Sequence, residues 1–305
     1  MLTKTGESYM KRLSVLVTLL LTFSAMAVSG ESYARDKFTD LTDLTGPYLG
    51  QEPPGSTPIA FAPGIVSTDG WEYGGAFTRD MNEFYYIRMN AETEKQEFVV
   101  FRHEKNRWNL SVVSPRVGQP FFAPDGKTMH LGRRYMERTE AGWSAIKSLG
   151  SPFEDIRIMR LTVSAKGTFV FDEVGSADGD SIIRYSRLVD GKREEPKPFG
   201  AEINTGTFNA HPFIAADESY IIWDGRRDSG FGHSDIYISY RQPDGSWGDA
   251  INMGDKINTQ APELAASVTP DGKYLFFHRN VGVDGQSNLD MHWVDAQIIE
   301  DLRPE

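Results

Sequence analysis

The stretch "TPDGKYLFF", Thr269–Phe277, decides the fold. Its Asp-Gly pair supplies the backbone angles of a tight turn, and the alternating run after it reads as a half-buried strand. Sliding the chain along itself by 54 residues lays "GAEINTGTFNAHPFIAADESYIIWDGRR", from Gly200, over "GDKINTQAPELAASVTPDGKYLFFHRN", from Gly254. Gly200, Ile203, Asn204, Thr205, Asp217 and Tyr220 then fall on Gly254, Ile257, Asn258, Thr259, Asp271 and Tyr274. The same turn and strand recur more loosely as "TRDMNEFYYIR" at Thr78, "APDGKTMHLGRR" at Ala123 and "VSAKGTFVFDE" at Val163. Five copies result, with third turn residues Asp80, Asp125, Lys166, Asp217 and Asp271.

Each copy keeps one internal order. An extended segment runs into the turn, an apolar strand leaves it, and a second strand follows, such as "QEFVVFRH" from Gln96 or "SDIYISYR" from Ser234. A further turn leads into a strand beginning near Trp108, Trp143 or Trp247. Four short strands in a unit of about 40 to 50 residues make a propeller blade, so the chain reads as an all-β propeller of four-stranded blades. In the last copy only 15 residues follow Asp290, too few for its outer strand. The segment "TPIAFAPGIVS", Thr57–Ser67, is strand-like and precedes the first complete unit. It is expected to complete the last blade and close the ring, removing two exposed sheet edges. The count gives five blades; six would need another hidden in residues 135–160 or in the N-terminal segment.

The turn "S/T-P-D-G-K-x-L-x-F", the later "D-I-Y" strand and the C-terminal "HWVDAQIIEDLRP" resemble the WD40-like (TolB-type) propeller repeats of exported bacterial proteins. The resemblance covers residues 57–305 and implies the propeller fold and export. Proteins of the TolB type also carry an α/β domain ahead of the propeller. Only about 20 to 30 residues stand between leader and propeller here, fewer than a domain needs. The repeat also accompanies serine peptidase domains, but no G-x-S-x-G occurs.

The N-terminal stretch "MKRLSVLVTLLLTFSAMA" has a basic start at Lys11 and Arg12, an apolar run from Leu13, and small residues at Ala25 and Ala27. It reads as a signal peptide over 1–27, with Met10 an alternative start, followed by an extension over 28–56 and one propeller domain over 57–305. The apolar run is short of the roughly 20 residues a spanning helix needs, so no membrane span is expected in the mature chain. With no cysteine, disulfides and a lipid-modified N-terminal Cys are both excluded. The expected location is periplasmic or secreted. A net charge of −11 disfavours nucleic acid and anionic membrane as partners.

In a propeller the first strand of each blade lines the central channel, and loops on its rim carry binding sites. Eight residues before the third turn position stand Glu72, Val117, Asn209 and Glu263; six before it stand Gly74, Gln119, His211 and Ala265. Seven after it come Ile87, Gly132, Asp224 and His278, with Asp172 in the shortened third copy, and one step on are Arg88, Arg133, Glu173 and Arg279. These positions share the rim opposite the turns. The ligand-binding candidates are Glu72, Gln119, Asp172, Asn209, His211, Asp224, Arg226, Glu263, His278 and Arg279. The competing reading is structural, since buried polar groups in a repeat are usually satisfied inside the fold.

Two functions follow from that set. One is a non-catalytic propeller binding a protein, peptide or glycan at its channel mouth, with no cofactor or metal. The alternative is a carbohydrate-active hydrolase using Glu72, Glu263, Asp172 and Asp224, or a lyase with a metal on His211 and His278. The loop "SADGDS", Ser176–Ser181, offers Asp178 and Asp180 to calcium but lacks the remaining ligands of an EF-hand, and reads as a hairpin turn.

Overall fold

The computed structural model describes residues 44–176, 179–282 and 287–304. The leader, Met10 and Asp178 lie outside them. Five antiparallel blades form a five-bladed β-propeller. Their innermost strands are Glu72–Phe77, Pro120–Phe122, Leu161–Val163, Thr207–Ile214 and Glu263–Val268. Each hairpin turn sits where the repeat placed it; in the last copy the Thr269 N–H donates to the Tyr274 carbonyl across "TPDGKY".

Ring closure follows the expectation from Thr57–Ser67. Ile59–Ala60 pairs antiparallel with Leu289–Asp295, Ile59 opposite Trp293 and Ala60 opposite His292, as outer strand of blade 5. The next residue, Phe61, is fully buried and its ring meets Phe77 and Phe84 of blade 1 and Phe276 and Trp293 of blade 5. One segment therefore joins the first blade to the last by both ladder and core. Packing extends further upstream: Tyr48 enters the same cluster and its hydroxyl donates to Asp271, while Trp108 Nε1–H donates to the Gly46 carbonyl.

The repeated "INT" has a specific task. Asn204 Oδ1 accepts from the Ile183 N–H and its Nδ2 donates to the Ile183 carbonyl, and Asn258 does the same to Ile236. Each side-chain amide thus extends the ladder of the preceding blade, because an amide matches a peptide group in donors and acceptors. The preceding Ile203 and Ile257 are fully buried.

Trp143 packs between blades, donating its indole N–H to Tyr85 of blade 1, while Trp108 packs on its own blade against Phe77 and His103. The chain ends in a short helix, Gln297–Asp301, whose Ile299 is buried and whose backbone accepts from Tyr240 OH. Among the described residues no helix is long and apolar enough to cross a membrane.

Candidate functional site

Three of the innermost strands carry the same irregularity. Pairing slips by one residue between Tyr73 and Ala76, between Ala210 and Phe213, and between Leu264 and Ser267. At these bulges Gly74, His211 and Ala265 take φ of +68°, +47° and +52°. A positive φ costs an L-residue on the order of 1 kcal/mol, so something local must offset it at His211 and Ala265. The bulge turns one N–H out of its own ladder and toward the neighbouring blade.

The neighbour supplies the acceptor each time. Gly74 N–H donates to His278 Nε2 (3.0 Å), His211 N–H to Asp172 Oδ2 (2.9 Å), and Ala265 N–H to Asp224 Oδ1 (2.8 Å). Asp172, Asp224 and His278 stand on the second strands of blades 3, 4 and 5, so each secures the blade that follows. Asp172 also accepts from the Met159 and Arg160 N–H groups.

His211 Nδ1 lies 3.0 Å from Asp224 Oδ1. Burial opposes a charge on this imidazole, but the Asp224 carboxylate outweighs it and the pKa is raised. Burial likewise pushes the Asp172 carboxyl up, against the nearby His211. Tyr73 fills the space between His211 and His278, with ring centroids at 5.8 and 4.8 Å, and its hydroxyl accepts from Gln119 Nε2 at 3.1 Å.

Of the remaining candidates, Glu72, Glu263 and Arg279 serve the loops that link blades. Glu72 accepts from Thr68 Oγ1–H and N–H, and Glu263 accepts from Thr259 in the same two ways. Arg279 donates Nε–H to Glu263 and Nη2–H to the Ile257 carbonyl. Burial pushes the Glu72 carboxyl up to about 7 despite the Thr68 bonds. Asn209 Oδ1 accepts from the Trp223 indole N–H. Arg226 is exposed, over the ring of Phe208. Eight of the ten candidates are thus buried, and apart from the Asn209–Trp223 and His211–Asp224 contacts within blade 4 their polar contacts hold blade to blade or link to blade.

The channel is open at its other end. A cavity of about 510 Å³ lies on the turn face, lined from all five blades. Its walls are largely apolar, with Phe77, Phe121, Val163, Phe213, Ile214 and Phe276 among them, and Arg79, Asp217 and Glu300 also line it. None of the ten candidates lines it. Arg160 closes its inner end: from blade 3 the side chain reaches across the channel, and Nη1–H donates to the Ala266 carbonyl of blade 5 at 3.1 Å. Apolar walls with few polar groups, at this volume, are the general character of a small-ligand site.

No protein-family model matches the chain, and no curated protein matches it in sequence. Solved structures do. TolB from Acinetobacter baumannii is similar over 73% of this chain and 54% of its own, at 15% identity and a TM-score of 0.44. The catalytic domain of a GH62 alpha-L-arabinofuranosidase from Coprinopsis cinerea matches over 79% and 97%, at 10% identity and a TM-score of 0.50. An endo-arabinase from Bacteroides thetaiotaomicron matches over 80% and 97%, at 14% identity and a TM-score of 0.47. The likeness is one of fold. The chain spans about half the length of the TolB chain, and a fold does not fix an activity, so activity must be argued from the site.

Tyr73, Arg160 and the funnel walls were not among the residues singled out from the sequence. Arg160 stands six residues before Lys166, as His211 and Ala265 stand before their own turn residues. Carrying the register into the shortened third copy reaches it. The walls were legible as apolar alternation, which assigns them to a core without showing that the channel stays open between them.

Proposed function

We propose that this chain is an exported, non-catalytic propeller that binds its partner at the channel mouth on the turn face. The bound group is apolar and enters the funnel among Phe121, Phe213 and Phe276. The carrying observation is the 510 Å³ axial cavity, built by all five blades and backed by the buried layer around Tyr73. Apolar surface that stays open at the centre of a rigid ring gains on burial about 25 cal/mol per Å², the usual driving force for a ligand in such a site. The basic, apolar and small-residue succession up to Ala27 supports export.

The four carboxylates on which hydrolysis would rest are each committed to hydrogen bonds. Glu72 and Glu263 hold linking loops, and Asp172 and Asp224 hold the bulged strands. This favours binding over turnover, because a general acid or nucleophile has to reach the scissile bond. A crystal of the protein grown with 4-phenyl-1-butanol tests the location. The alcohol is expected between Phe121, Phe213 and Ser267; finding it beside Arg226 and Arg279 instead, or nowhere, contradicts the proposal.

A further inference from the structure

The floor of the funnel is a cation with little to bind. Arg160 is 4% exposed, yet among the described residues one of its five N–H donors makes a hydrogen bond, to the Ala266 carbonyl, and its buried Nε has no partner there. Leaving a charged donor buried and unsatisfied is costly, more so than for a neutral group. Burial holds the guanidinium pKa below its ordinary value, opposed by Tyr73, Asp224 and Asp172 in the layer beyond, but neither carboxylate forms an ion pair with it among the described residues. Their acceptors are directed elsewhere, to His211 and to the N–H groups of residues 159, 160, 211 and 265. The guanidinium therefore lies across the axis between a closed polar layer and an open apolar funnel.

We infer that the ligand of this funnel is a small amphiphilic monoanion, its carboxylate on Arg160 and its apolar body between Phe121, Phe213 and Phe276. This rests on the proposed funnel-binding function and adds the charge of the bound group. The guanidinium presents its donors in a planar fork that suits a carboxylate, and a charge-assisted bond formed away from water is stronger than one at the surface. The cavity of about 510 Å³ limits the ligand to small-molecule size. Arg79 stands exposed at the funnel edge, where water weakens a charge-assisted bond, so the deeper, buried Arg160 is the anchor.

The test compares two probes with one carbon skeleton, 4-phenylbutyrate and 4-phenyl-1-butanol, titrated by calorimetry into the wild-type protein at neutral pH. The carboxylate is expected to bind at least tenfold tighter than the alcohol. Arg160→Gln is expected to erase that preference, and Arg160→Lys to keep part of it. Equal wild-type affinities, or a preference that survives in Arg160→Gln, overturn the role of Arg160 while leaving the funnel as a binding site. If neither probe binds the wild-type protein, the funnel proposal fails and this inference with it. The wild-type comparison needs no variant, so a misfolded Arg160→Gln does not remove the test.

Discussion

The backbone N–H of Gly74, in the first blade, donates to Nε2 of His278, in the last, across 3.0 Å. A ring nitrogen that accepts must be unprotonated, so the proton of this imidazole sits on Nδ1 and the ring is neutral. Burial enforces the same state, assisted by the positive charges of Arg160 and His211, and lowers the pKa to about 3. The joint between the ends of the propeller is therefore sensitive to acid.

The sign follows from linkage. An unfolded histidine takes up its proton near pH 6.5 while folded His278 stays neutral down to about 3, so stability from this group is lost as pH falls through that window. His130 and His292, both held at about 4 by burial, act with the same sign. Glu72, raised to about 7, acts oppositely, favouring the folded state as pH falls from 7 toward its unfolded value. A single substitution isolates the joint. Between pH 7 and 4.5 the wild-type protein is expected to lose about 2–3 kcal/mol more than His278→Gln, measured by urea denaturation at each pH. Equal losses would show that His278 is not the neutral acceptor.

Closure by the N-terminal strand predicts a large effect at one residue. Phe61 is fully buried against four aromatic rings of blades 1 and 5, and its N–H donates to the Met291 carbonyl. Phe61→Ala is expected to cost about 3–5 kcal/mol in the same denaturation experiment. A cost below about 1 kcal/mol would place the joint elsewhere.

Much of this fold was legible because each blade repeats its own local physics. "TPDGKYLFF" carries its turn in Asp271 and Gly272 and its strand in alternating burial, and a second copy 54 residues away makes chance a poor explanation. The missing outer strand of blade 5 was legible by the same count. The site was less legible, because the polar candidates were read as pointing along a regular strand. A one-residue bulge at His211 or Ala265 redirects the backbone, and no alternation pattern announces it. Asp224 looked like a rim carboxylate and instead receives the Ala265 N–H and the His211 ring. Arg160 was hidden for a further reason: its importance comes from reaching blade 5, a contact between strands about 100 residues apart in sequence that local spacing does not encode.

Binding in the turn-face funnel can be separated from binding on the rim that holds Arg226 by substitution on the two faces. Ala76 and Ser267 are small, partly exposed residues of the funnel wall. Calorimetric titration of 4-phenylbutyrate into Ala76→Trp, whose indole would occupy the funnel, separates the two faces, with Arg226→Ala as the opposite-face control. Ala76→Trp is expected to lose at least tenfold in affinity and Arg226→Ala to keep the wild-type affinity. Undiminished binding to Ala76→Trp, with loss in Arg226→Ala, would contradict binding in the funnel.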